Sequence, residues 1–144
     1  MEYINSKDVY ILRIDKGEEI IEELTTFVTN ENIKAGIITG IGATDHVEIG
    51  LFNIYTKEYH GKTLKGLHEI TSLSGNITTK NKEPYLHLHI NVSDESNNTY
   101  GGHLNKCYVS ATAEIIIRKI DLCIERKFND EIGLNLLDFN HENK

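Results

Sequence analysis

The chain has 144 residues and a mass of 16.4 kDa, the length of one domain, 1–144, able to bury a core without staples. Its 15 Lys and Arg against 22 Asp and Glu leave a formal charge of −7, so a nucleic-acid role would need a local basic patch. Two cysteines, Cys107 and Cys123, can build neither a disulfide framework nor a four-Cys zinc site, and they fit a reduced, cytoplasmic protein. Residues 1–8 lack the basic-then-apolar pattern of a secretory leader. No apolar run approaches the ~20 residues of a membrane span, so no membrane partner is expected.

In chain order, Val9–Ile14 is a short β-branched run that reads as a strand. Gly17–Asn30 follows, with Ile20, Ile21, Leu24, Phe27 and Val28 on one stripe of period 3.6, and predicts the main helix over Glu18–Asn30. Glu18 and Glu19 would lie in its first turn, where the helix dipole favours them. Ala35–Gly42 reads as a buried strand entering a tight turn, and Val47–Tyr55 as a strand whose phase changes at Leu51-Phe52, suggesting a bulge or burial of both faces. Gly66–Leu73 is a further strand, and Asn81–Pro84 a turn. Tyr85–Val92 alternates strictly. Tyr108–Ala113, Glu114–Glu125 and Leu134–Phe139 complete the strands, with a frayed tail at residues 141–144. Many strands and one helix predict an α+β fold, mainly antiparallel sheet with one principal helix packed on it, since one helix cannot supply the crossovers of a parallel sheet.

Histidines carry the strongest chemical signal. In Leu86-His87-Leu88-His89-Ile90, alternation sends both imidazoles to one face and the aliphatic side chains to the other. If Asp94–Asn98 closes a hairpin centred on Ser96, His103 returns opposite His89 on the same face. A slip of one residue at Gly101-Gly102 would send it to the other side. Three neutral imidazoles suit Zn²⁺ or a similar divalent ion and leave a coordination position open, the arrangement of a reactive site more than a structural one. The plainer reading of such a pair is polar decoration of a solvated strand. His46, His60, His68 and His141 take that plainer reading by default. Glu69 is the candidate catalytic carboxylate, either a general base or a fourth ligand if it reaches the cluster, and otherwise a solvated strand residue. The basic residues, Lys57, Lys62, Lys65, Lys80, Lys82, Arg118, Lys119, Arg126 and Lys127, are broken up by acidic neighbours and read as mixed surface.

With these residues in view, the chain resembles the PPC domain family (plants and prokaryotes conserved). The resemblance rests on Gly40-Ile41-Gly42, on Leu67–Leu73 running into Ser74-Gly75-Asn76-Ile77, on Leu86-His87-Leu88-His89, and on Gly101-Gly102-His103-Leu104. It extends from about Val9 to Phe139. It implies an antiparallel sheet with a packed helix, a homotrimer, and a metal on His87, His89 and His103. It also implies a fold similar to acetolactate decarboxylase, a metal-dependent lyase. Plant members add AT-hooks that bind DNA; this chain has no Arg-Gly-Arg-Pro segment, and its single proline, Pro84, follows Glu83.

The resulting expectation is a trimeric protein with a three-histidine divalent-metal centre that could act on a small molecule as a lyase or hydrolase; zinc is the expected ion, although imidazole serves Fe, Ni, Co and Cu alike. The alternatives are a DNA-associated regulator, disfavoured by the net charge, and a pure assembly module.

Overall fold

The computed structural model describes residues 1–139. Eight strands and one helix follow in the order β1 (Glu2–Ser6), β2 (Val9–Asp15), α1 (Ile20–Asn30), β3 (Gly36–Asn53), β4 (Glu58–Lys80), β5 (Glu83–Ser93), β6 (Thr99–Lys119), β7 (Glu125–Asn129) and β8 (Leu134–Asp138). The expected α+β class is therefore corrected. The fold is mostly β, and its one helix is 11 residues long. The short candidate strands are pieces of much longer ones: Ala35–Gly42 and most of Val47–Tyr55 merge into β3, and Tyr108–Ala113 joins the first half of Glu114–Glu125 in β6. Period-2 patterning breaks wherever the pairing register shifts, at Gly40/Gly42 and Thr44/His46, so one bent strand looked like two. No register shift falls at Leu51-Phe52, where pairing with His60 and Tyr59 runs on regularly. β1 and β7 were not anticipated, and the tail beyond residue 139 lies outside the described residues.

β3 pairs with β4 and β6, and β5 also pairs with β4 and β6, so these four strands close into an antiparallel ring. Closure leaves fewer free edges on the long strands. β1 and β2 extend the sheet beside β6, and the β7–β8 hairpin touches β4 through one parallel bridge, Thr79 with Glu125. The core takes its side chains from one face of every long strand, among them Ile38, Leu73, Leu88, Ile90 and Ile115.

Helix α1 buries the stripe Ile20, Leu24, Phe27 and Val28, as its periodicity predicts, and packs against β5 and β6. Its start is corrected by two residues, from Glu18 to Ile20. Glu19 is the N-cap, accepting from Glu22 N at 2.8 Å. Its other carboxylate oxygen accepts from Cys107 N of β6 at 2.7 Å. A single buried carboxylate thus caps the helix and fastens it to the sheet.

Two tight hairpins position the functional face. β4 and β5 are joined by Asn81-Lys82, both with positive φ, the geometry that fits the twist of a two-residue hairpin. β5 and β6 are joined by a turn built on Asp94, whose Oδ1 accepts from Ser96 N and Asn98 N at 2.9 Å each. That turn sets the register Ser93 with Thr99 through His89 with His103.

Candidate metal centre

His87 and His89 stand on one face of β5, while Leu88 and Ile90 between and beside them are buried in the core. The Asp94 turn brings His103 of β6 directly opposite His89, and no bulge forms at Gly101-Gly102. The three ring centroids are 5.2 Å (His87–His89), 5.2 Å (His87–His103) and 5.6 Å (His89–His103) apart. One nitrogen from each ring lies within 4.8 Å of the others, the only such cluster of possible metal donors among the described residues. No hydrogen bond joins these rings to another side chain or to backbone among the described residues, so their nitrogens are not spent on internal partners.

Close backbone approach holds the donors in place. A Cβ on Gly75 of β4 would sit 2.0 Å from the carbonyl oxygen of His87. Glycine there lets β4 lie tightly against the strand that carries two of the three rings.

Electrostatics favour neutral rings. Burial, aided by Arg126 and by the other two imidazoles, lowers the His87 pKa to about 4. Burial, with His89, lowers that of His103 as well. Protonating His87 or His103 would put a charge in a half-buried place beside the other rings, so at neutral pH these two are free bases with lone pairs to offer.

The rings open onto a cavity of about 920 Å³. Its far wall is the β7–β8 hairpin, including Leu134, Leu136 and Leu137, and its floor includes Leu51, Phe52 and Tyr59. Arg126 of β7 lines it too. The sequence pattern groups Arg126 with the mixed surface cations, but the structure buries it, at 9% exposed. Nothing in the pattern Glu125-Arg126-Lys127 distinguishes the inward cation from its neighbour, because β7 is short and the β4 residues that hold Arg126, Thr78 and Asn76, are distant in sequence.

Glu69 pairs with Ser93 and Ala43, whereas Ser74 and Asn76 of the same strand pair with His89 and His87. Glu69 is exposed and is not part of the donor cluster. The polar neighbour on β4 is Asn76, which sequence reasoning passed over. Of the remaining histidines, His60 lines the cavity rim. His46 lies 3.2 Å from Glu48, and His68 Nδ1 lies 2.7 Å from the Gly66 carbonyl. His141 lies outside the described residues.

Comparison with known proteins places this geometry in a wider group. The chain is 32% identical over 111 residues to the Bifunctional protein GlmU of Synechococcus sp. (strain JA-3-3Ab), covering 76% of this chain but 17% of that protein. Among solved structures it is similar to a candidate DNA-binding protein of Bacteroides thetaiotaomicron, with 35% identity, 96% of each chain covered and a TM-score of 0.94. It is also similar to a metal-containing protein of Archaeoglobus fulgidus, with 32% identity, 94% of this chain and 96% of that one covered, and a TM-score of 0.84. Acetolactate decarboxylase of Bacillus subtilis shares the fold, with 18% identity, 76% and 52% of the chains covered, and a TM-score of 0.54. Among the described residues no helix is long and apolar enough to cross a membrane. The sequence profile of the Plants and Prokaryotes Conserved (PCC) domain matches residues 1–121, and the chain belongs to that family.

Proposed function

We propose that this PCC-domain protein holds one divalent ion, with zinc the first candidate, on His87, His89 and His103, and binds a small molecule beside it. The observation that carries the reading is the convergence of three ring nitrogens within 4.8 Å at the head of a cavity. The donor set fits such an ion: imidazole is a borderline ligand that suits it, and the three ligand atoms lie within 4.8 Å of one another. When bound, the ion supplies Lewis-acid polarisation of a substrate oxygen, as lyase and hydrolase chemistry requires.

The chain's own residues supply the setting. Burial keeps His87 and His103 unprotonated. Apolar side chains of β3 and β8 enclose the cavity and reduce its water content. That the Archaeoglobus relative is described as metal-containing supports the reading. Metal analysis of protein purified without added chelator tests it. One ion per chain is expected, with loss in His89→Ala; metal-free wild-type protein that also takes up no added zinc would refute it.

The proposed assembly is a homotrimer. Support comes from an apolar strip on the outer sheet face, where Ile4 pairs with Ile11, Ile11 with Ile116, and Ile116 with Thr39 between Ile37 and Ile41. All five isoleucines are exposed in the single chain, Ile4 at 70%, and a contiguous patch of this kind marks an interaction surface. Light scattering at the monomer mass would contradict it.

A second reading, association with DNA, is favoured by the name of the Bacteroides relative. The charge of −7 weighs against it. Gel shifts at two salt concentrations decide, since phosphate binding must weaken steeply with salt.

A further inference from the structure

Among the described residues, Arg126 is a buried cation without a counter-charge. Its Nε donates to Thr78 Oγ1 at 2.8 Å, Nη1 to the Asn135 carbonyl at 2.9 Å and Nη2 to Asn76 Oδ1 at 2.9 Å. All three acceptors are neutral. A guanidinium carries five N–H groups, so two remain after these three bonds. No carboxylate among the described residues lies within ion-pair distance of it. Arginine is almost never buried unpaired, because desolvation disfavours the charge.

Its position is fixed and directed. The guanidinium lies over the Tyr85 ring, 4.8 Å from the centroid, which sets its plane. Tyr85 and His87 stand two residues apart on β5, and so on one face. Asn76, which accepts from Nη2, is the cross-strand partner of His87. Arg126 therefore continues the row of the three histidines, and both its neighbours line the same cavity. Beyond it, Phe52, Leu134, Leu136 and Leu137 make an apolar wall. An inorganic anion would satisfy the cation and leave that wall wet. A carboxylate carried on an apolar body covers both.

We infer that the cavity takes an organic carboxylate, its head on the remaining N–H groups of Arg126 and its apolar body against the β8 wall. The inference deepens the small-molecule reading and rests on it for the location of the ligand; recognition by Arg126 requires no metal.

Calorimetric titration tests it, with isocaproate, its neutral amide isocaproamide, and inorganic phosphate as probes, on metal-stripped and zinc-loaded protein. Isocaproate is expected to bind the metal-stripped protein at least about tenfold tighter than isocaproamide, the worth of a charge-assisted hydrogen bond. Arg126→Gln should abolish that preference, and Arg126→Lys, which keeps the charge, should restore part of it. Should Arg126→Gln fail to fold, the acid–amide comparison on wild type and the lysine variant decide. Equal binding of acid and amide, a preference that survives Arg126→Gln, or no saturable binding at millimolar concentration would overturn the inference. So would phosphate that binds tighter than isocaproate and displaces it. Zinc that fails to bind while the acid preference persists would sink the metal reading and leave this one standing.

Discussion

The two hairpins that face each other across the cavity are built in opposite ways. β5 and β6 are both interior strands of the closed ring, with β5 paired on both edges and β6 running between β3 on one side and β5 and β2 on the other. The rings of His89 and His103 therefore hang from backbone that main-chain pairing holds on both sides, and that of His87 from backbone paired with Asn76 of β4. β7 and β8 pair with each other and reach the rest of the sheet through a single parallel bridge. Polar side chains do the fastening instead: Thr79 Oγ1 donates to Glu125 Oε1 at 2.9 Å, and Arg126 bonds to Thr78 and Asn76. The donor wall is fixed by register and the ligand wall by side-chain chemistry. A ligand can reshape the second wall more easily than the first.

Substitutions break this contrast in a graded way. Leu88→Ala removes a side chain 1% exposed between the two β5 histidines and should cost about 2–5 kcal/mol in urea denaturation. Gly75→Ala forces β4 and β5 apart, because its Cβ would lie 2.0 Å from the His87 carbonyl oxygen. It should cost about 1–3 kcal/mol and, unlike Leu24→Ala in the distant helix, should weaken metal uptake as well. A Gly75→Ala protein with wild-type zinc affinity would show that this close approach does not position the donors.

Acid should separate the two walls by a smaller amount. His87 titrates near 4 in the folded chain because it is desolvated and lies beside Arg126, against about 6.5 when unfolded. Between those values the unfolded state binds more protons, so metal-free stability is full above about 6.5 and is lost as pH falls toward 4. The loss should be about 1–2 kcal/mol, reduced from the full shift by solvent screening. His87→Asn should flatten that slope, whereas a variant in β8 should not. Metal retention should also extend below the ordinary imidazole range, since His87 and His103 both resist protonation. The smallest effect is expected at the other hairpin. Leu136→Ala, at a side chain 39% exposed, should change stability by less than about 1 kcal/mol while weakening isocaproate binding.

Much of the donor wall was legible in the chain because it depends on local rules. Alternation in Leu86–Ile90 and the Asp94–Asn98 turn are short-range patterns, and both act as their residues require. The glycines of the recognised motifs have a physical reason too: Gly75 admits a backbone carbonyl where a methyl group would collide. Helix α1 was legible from its stripe. The fold class was not, because bulges divided single long strands into segments that resembled ordinary short ones. Nor was the ligand wall legible. The burial of Arg126 depends on Thr78, Asn76 and Asn135, two of them about 50 residues away, and no local pattern announces such a meeting. Glu69 shows the reverse error: a carboxylate next to a histidine in sequence, His68, is not next to the histidines in space.

Anomalous diffraction at the zinc edge, on crystals grown above pH 7 with added zinc, tests the central claim most directly. The account predicts one peak per chain, about 2.0–2.1 Å from one ring nitrogen each of His87, His89 and His103. Fully formed crystals with no peak between these rings, or with zinc bound only elsewhere, would contradict it.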